Sequence, residues 1–166
     1  MTLDARIGLG WDTHRLAAGR RLVLGGVVLS EEFGPIAHSD GDPLAHAVCD
    51  ALLGAAALGD IGVHFPDTDP RWRGVSGVEL LERTSALLRA AGWRPRQVDA
   101  VIVADEPAIA PHRDAIRTAL ASALGAAPED ISVKGKRTEG LGGLANRAGI
   151  ACHAIVLVER EPASRS

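Results

Sequence analysis

Ala37-His38-Ser39-Asp40-Gly41-Asp42-Pro43 runs at once into Leu44-Ala45-His46-Ala47-Val48-Cys49-Asp50-Ala51-Leu52-Leu53. A polar segment gives way to an apolar run, and the junction carries a helix start signal. Asp42 suits the N-cap, where a side-chain oxygen accepts an orphan backbone N–H. Pro43 suits the first helical position, where no N–H is needed. The pattern predicts a helix running to about Leu58. Asp42, His46 and Asp50 then fall at i, i+4 and i+8, on one face of a helix otherwise made of Ala, Val, Leu and Cys. Two readings of that face stand side by side. Asp42 caps and Asp50 is a solvated helix residue, or a neighbouring carboxylate orients His46 as the outer partner of a metal ligand.

Toward the N-terminus, Arg6 to Leu16 and Arg21 to Leu29 read as two strands joined by Ala17-Ala18-Gly19-Arg20. The second is rich in β-branched residues and interrupted by Gly25-Gly26, which suggests a bulge or a close backbone approach. Toward the C-terminus, a loop rich in Gly, Asp and Pro runs from Gly59 to Gly74. Ser76-Gly77-Val78-Glu79 is a capping-box pattern that opens a second helix to about Ala91, where Gly92 stops it. Val98 to Ala104 is a short apolar strand. A third helix, from about Ala110 to Leu124, carries Ile116, Leu120 and Leu124 at helical spacing. Ile131 to Arg137 and Gly149 to Glu159 are the last strands. This interleaving predicts an α/β fold of the α+β sandwich kind, a mixed sheet with helices packed on one face. One domain is expected over residues 1–160, with a short polar tail over residues 161–166.

The bulk numbers agree with a folded domain. The chain has 166 residues, 46% hydrophobic and 23% charged, with a formal net charge of −3. Disorder needs fewer apolar residues and more net charge, and nucleic-acid binding usually needs a basic face, so neither is expected. An anionic small substrate stays open, because a bound divalent cation inverts the local electrostatics. Arg outnumbers Lys sixteen to two, which reflects genome composition rather than function. Cys49 and Cys152 stand far apart in apolar runs and read as reduced core thiols. Met1-Thr2-Leu3-Asp4-Ala5-Arg6 lacks the basic and apolar regions of a signal peptide. No apolar stretch reaches the roughly 20 residues that a membrane-spanning helix needs. A soluble, cytoplasmic protein with no membrane partner is expected.

Asp12-Thr13-His14 is the first chemical signal. Residues two apart on a strand project to one face, so Asp12 and His14 can converge on one ion. His46 lies in the first turn of the next helix, within reach of the strand end. One carboxylate and two imidazoles make three protein ligands and leave a fourth position open, the stoichiometry of catalytic zinc. The same donors accept other first-row ions. Taken alone, D-x-H is a common spacing that also fits a turn Asp beside a surface His.

Several motifs act together here: Gly8-Leu9-Gly10-Trp11-Asp12-Thr13-His14, Leu24-Gly25-Gly26, Ala37-His38-Ser39-Asp40-Gly41-Asp42, Asp50-Ala51-Leu52-Leu53-Gly54, Leu58-Gly59-Asp60-Ile61-Gly62 and Phe65-Pro66-Asp67-Thr68-Asp69-Pro70. In combination they resemble the 2-C-methyl-D-erythritol 2,4-cyclodiphosphate synthase family. The C-terminal half matches more loosely, through Pro107, Pro111-His112 and Thr138-Glu139-Gly140-Leu141-Gly142. The resemblance implies a homotrimer with active sites between subunits. It implies a cytidine-diphosphate-linked methylerythritol whose 2-phosphate attacks its own β-phosphorus, forming a cyclic diphosphate and releasing CMP. The pathway implied is the non-mevalonate route to isoprenoid precursors.

By the same resemblance, Asp12, His14 and His46 hold a zinc-type cation, with Asp12, Thr13 and His14 also counted among the substrate contacts. A second divalent cation, Mg²⁺ or Mn²⁺, joins the phosphates with Glu139 as its protein contact. His38 and Ser39 contact the 2-phosphate or hold the backbone fold that receives it. Asp60, Ile61 and Gly62, with Phe65, Pro66, Asp67, Thr68 and Asp69, form the methylerythritol-binding loop. Ala104, Asp105, Glu106, Pro107, Ala108, Ile109 and Ala110 form the cytidine pocket. Lys136, Arg137, Thr138 and Glu139 complete the phosphate end, and His38, Arg137 and Glu139 are the catalytic candidates.

Two positions depart from the family pattern. A small hydroxyl residue is usual two places before the Glu, and here Arg137 stands there, so Arg137 serves the phosphates as a cation, or Thr138 takes the hydroxyl role, or Arg137 points to solvent and the step runs without that contact. The family's Gly-Phe-x-Gly-Arg run reads Gly142-Gly143-Leu144-Ala145-Asn146, with Arg147 one place late. Binding of an isoprenoid diphosphate in an axial cavity is therefore not expected. Two other classes compete: a metal-dependent phosphohydrolase using the same ligands to activate water, and a non-catalytic trimeric binding protein. Product identity separates the first from the synthase. Intact Asp12, His14, His38, His46 and Glu139 argue against the second.

Overall fold

A computed structural model describes residues 4–37 and 40–161. His38 and Ser39 lie outside the described residues, as does the expected polar tail apart from Glu161. In chain order the elements are β1 (Ala5–Ala18), β2 (Leu22–Leu24), β3 (Val27–Ser30), β4 (Phe33–Pro35), α1 (Pro43–Ala55), α2 (Ile61–His64), α3 (Gly77–Ala90), β5 (Trp93–Val103), α4 (Arg113–Leu124), β6 (Ile131–Lys136) and β7 (Gly149–Arg160). Short 3-10 turns lie at Pro70–Trp72, Ala110–His112 and Pro128–Asp130.

Alternation along the strands builds a two-layer arrangement. On β7, Cys152, Ala154, Val156 and Val158 are buried while His153 and Ile155 are exposed. That period of two turns one face to the helices and one away. The strand order is β4-β1-β7-β5-β6, antiparallel throughout except for the parallel β5–β6 pair, so the sheet is mixed. Leu44, Leu52, Leu81, Ile102, Ile116 and Leu120 are fully buried between the sheet and the helices. Cys49 and Cys152 sit in this core as free thiols. The other face is uncovered in the chain: Ile7, Leu9, Trp11 and Ile155 are between 52% and 73% exposed. No helix among the described residues is long and apolar enough to cross a membrane.

Several local readings need correction. The expected strand from Arg21 to Leu29 is a hairpin, with β2 and β3 joined by Gly25-Gly26. Both glycines take left-handed φ, +58° and +81°, which a two-residue hairpin turn of the primed type requires. β4 was not expected, because Phe33-Gly34-Pro35 is short and Pro fits only at a sheet edge, where this strand lies. α1 ends at Ala55 rather than near Leu58. Ala57 turns left-handed and the Leu58 N–H reaches back to the Leu53 carbonyl, a Schellman-type stop. Within the expected loop from Gly59 to Gly74 lie α2 and a 3-10 turn. β5 starts at Trp93, its polar first half carrying an irregularity between Pro95 and Gln97. The third helix begins as a 3-10 turn and becomes α-helical at Arg113.

Candidate functional site

Gly8, Gly10, Asp12 and His14 share the face of β1 that meets α1. A Cβ at Gly8 would collide with the Ala51 carbonyl, and one at Gly10 with the Ala47 carbonyl, so the helix backbone rests directly on the strand. Two residues of strand advance about 6.8 Å and four residues of helix about 6 Å, so the two chains keep step while running in opposite directions. One further step brings the first turn of α1, with His46, over Asp12. The helix begins there because Asp42 caps it, accepting the Ala45 N–H at 2.9 Å. Asp42 also accepts the Gly25 N–H at 2.9 Å and the Gly26 N–H at 2.8 Å, so the hairpin turn is tied to the helix start. Burial pushes this carboxyl up to about 6, against the pull of its three N–H donors.

Asp12 Oδ2 lies 3.0 Å from His14 Nε2 and 3.0 Å from His46 Nδ1. Ligand atoms of the three residues all fall within 4.8 Å of one another, an arrangement that could hold a metal ion. The three side chains are partly buried. Burial alone would raise the Asp12 carboxyl, but hydrogen bonds with His14 and His46 outweigh it and hold the group at about 2. Burial works against the His46 cation, yet the Asp12 carboxylate raises His46 above its ordinary value. An acid that stays ionised beside two imidazoles is a donor set suited to a divalent metal ion. Thr13, on the opposite strand face, bonds the Ile150 carbonyl at 3.1 Å through its hydroxyl.

A cavity of about 650 Å³ opens beside the triad. His14 and His46 line it together with Ile61, Gly62, Phe65, Pro66, Asp67 and Thr68. Asp60 and Asp69 do not line it: each caps a short helical turn, Asp60 accepting the Val63 N–H and Asp69 the Arg71 N–H. Asp50 is not merely solvated, for it accepts the Ile61 N–H at 2.8 Å and pins the start of the cavity loop. Trp72 and Leu80 also line the cavity and were not singled out from sequence. Trp72 packs edge-to-face on Phe65, with ring centroids 5.0 Å apart. The available signal was composition: with two Phe, three Trp and no Tyr in the chain, Phe65 and Trp72 stand seven residues apart.

A second, smaller cavity of about 140 Å³ is lined by Ala104, Asp105, Pro107, Ala108, Ile109, Ala110, Lys136 and Arg137, with Arg113 as an addition. Glu106, Thr138 and Glu139 are not among its lining residues. Thr138 is engaged elsewhere: its hydroxyl donates to Asp105 at 2.8 Å and receives the Gly140 N–H at 3.2 Å. The Thr138 hydroxyl is thus paired with Asp105, while Arg137 lines the cavity. Thr13 of β1 and Val103 of β5 both pair with Ala151 of β7, so the triad and the second cavity lie at the same end of the sheet. Two strand spacings separate them, about 10 Å.

Comparison with known proteins agrees with this layout. A model of the YgbB family matches residues 5–159. The chain is 54% identical over 153 residues to a 2-C-methyl-D-erythritol 2,4-cyclodiphosphate synthase of Azotobacter vinelandii, covering 92% of this chain and 98% of that one. It is 53% identical over 156 residues to the synthase of Gloeobacter violaceus, covering 94% and 96%. A solved structure of such a synthase in its CDP-bound form superposes with a TM-score of 0.85 at 42% identity, over 92% of this chain and 99% of that chain. With the fold, the triad and these matches in agreement, the chain belongs to the YgbB family, the family of the 2-C-methyl-D-erythritol 2,4-cyclodiphosphate synthases.

Proposed function

We propose that this chain is a metal-dependent lyase that cyclises 4-diphosphocytidyl-2-C-methyl-D-erythritol 2-phosphate to the 2,4-cyclodiphosphate and releases CMP, in the non-mevalonate pathway. The observation that carries this reading is the convergence of Asp12, His14 and His46 at the wall of the larger cavity. The nucleophilic phosphate is tethered to the electrophile, so catalysis is a matter of folding the substrate, offsetting charge and excluding water.

Zinc held by Asp12, His14 and His46 would supply Lewis-acid polarisation of a phosphate oxygen, and a second cation (Mg²⁺ or Mn²⁺) contacting Glu139 would offset phosphate charge. The chain's own residues divide the remaining work. Ile61, Gly62 and Phe65 to Thr68 enclose the methylerythritol arm, with Asp60 and Asp69 shaping that loop as caps. The loop from Ala104 to Ala110, which lines the smaller cavity, receives cytidine, and the CDP-bound form of the solved relative supports a cytidine nucleotide as the ligand class. Lys136 and Arg137 bring positive charge to the phosphates beside it, and His38 and Ser39 receive the 2-phosphate.

The working form is a homotrimer, with active sites between subunits. Its support is the uncovered sheet face bearing Ile7, Leu9, Trp11 and Ile155, an apolar surface of the kind that marks protein contacts. The two buried free thiols suit the reducing cytoplasm. Phosphorus NMR on the cytidine-linked substrate, with and without a strong chelator, tests the reaction. Cyclic diphosphate and CMP appearing together, and only with metal, is the expected result. Release of inorganic phosphate would point instead to a hydrolase, and no turnover by the metallated protein would remove the catalytic claim.

A further inference from the structure

Two adjacent acids at the end of β5 hold the loop that carries Glu139. Asp105 Oδ1 accepts the Thr138 N–H at 2.9 Å and the Thr138 hydroxyl at 2.8 Å. Asp105 Oδ2 accepts the Asn146 N–H at 2.7 Å, thirty-three to forty-one residues separating this carboxylate from its donors. The next residue, Glu106, pairs with Arg147 at 3.3 Å. Both ends of the segment from Thr138 to Arg147 are thus fastened to one dipeptide. The fastening acts on an unusual backbone. Glu139, Asn146 and Arg147 have φ of +54°, +56° and +63°, conformations that residues bearing a Cβ adopt only where their surroundings impose them.

The partners fit an ionised Asp105, since a carboxylate is acceptor-only and all of its contacts here are donors. Hydrogen bonds from Thr138 hold its carboxyl below the usual range. Asp105 also lines the smaller cavity, so one side chain faces the nucleotide loop's cavity and holds the Glu139 loop. Resting on the functional reading above, we infer that Asp105 is a positioning residue that couples nucleotide occupancy of the 104–110 loop to the placement of Glu139. A nucleotide that orders the 104–110 loop fixes the Asp105 carboxylate, which fixes Thr138 and Asn146 on either side of Glu139. Coupling of this kind is reciprocal, so placement of the Glu139 loop favours nucleotide binding in turn.

Hydrogen exchange on the intact protein, with CDP as the probe, tests the coupling. Wild type is expected to show slower exchange over residues 138–148 on binding CDP, although that segment is not the nucleotide loop itself. Asp105→Asn keeps one acceptor oxygen but sets an amide NH₂ against a backbone donor. It is expected to lose the protection of residues 138–148 and to lower kcat about tenfold, with CDP binding weakened only severalfold through the lost coupling. Thr138→Val removes only the hydroxyl and should give a smaller loss of both protection and kcat; it carries the same test should Asp105→Asn not fold. CDP binding that weakens in folded Asp105→Asn while residues 138–148 keep their protection would overturn the inference, since Asp105 would then be a direct contact. Protection of the 104–110 loop alone in wild type would also overturn it, leaving the functional reading intact. A wild-type chain that does not bind CDP at all would overturn both.

Discussion

His46 Nδ1 stands 3.0 Å from Asp12 Oδ2 although thirty-four residues separate them in sequence. The approach is set by backbone: glycines at positions 8 and 10 let α1 lie on β1 with no side chain between, and the first helical turn then reaches the end of the strand's polar face. Replacing His46 by Gln keeps a polar side chain and removes the imidazole. Zinc affinity should fall at least about a hundredfold, because even a partner outside the ligand set is worth ten- to a hundredfold. Competition against a chromophoric chelator measures it.

Gly10→Ala tests the backbone spacing directly. The new Cβ would meet the Ala47 carbonyl, so helix and strand must part. We expect a loss of about 3 kcal/mol in urea unfolding, at the upper end of overpacking costs. Weakened metal binding should accompany it, because His46 moves with the helix. Gly54→Ala, on the same helix with nothing near its added Cβ, is the control, expected to gain about 0.5–1 kcal/mol through helix propensity.

Asp42 gives the stability a pH signature. Burial raises its folded-state value from 3.8 to about 6, so the folded chain binds a proton that the unfolded chain has released. Stability therefore falls as pH rises from about 4 to about 6, by about 3 kcal/mol in total, and the contribution is constant above that window. Asp12, His46 and Asp50 also titrate, but they do so in both proteins when wild type is compared with Asp42→Asn. The stability margin of wild type over the variant should therefore shrink across that window. A margin that does not change with pH would remove the raised value for Asp42.

Arg137 lines the smaller cavity with the residues assigned to cytidine. Arg137→Thr restores the residue type that the family usually carries two places before the Glu. If Arg137 serves the phosphates here, kcat/KM should drop about tenfold, the value of one charge-assisted hydrogen bond. Unchanged turnover would assign Arg137 to solvent.

Much of this architecture was legible because its signals are local. Asp42-Pro43 marked the start of α1, and Ser76 does cap α3 through the Glu79 N–H. Asp12 and His14 were readable because strand period alone puts them on one face. The failures have a common cause. Gly25-Gly26 stands inside an apolar run, where a tight turn and a bulge look alike until the partner strand is known. β4 consists of three residues with Gly and Pro among them, below any periodic signal. Asp50 on the Ile61 N–H, Asp40 on the Gly77 N–H and Asp105 on Thr138 join a side chain to a distant backbone amide, and a backbone amide has no sequence signature.

The position of β7 in the sheet has a consequence for how the protein is made. β7 is the last strand in sequence and the middle one in space, paired with β1 on one side and β5 on the other. While a ribosome extends the chain, β1 with Asp12 and His14 has only the short β4 beside it and waits for β7, which emerges more than a hundred residues later. Contacts of that sequence separation close slowly. The nascent chain thus exposes the long edge of β1 until β7 has been made, although Asp12, His14 and His46, the three residues of the ion site, have all emerged long before.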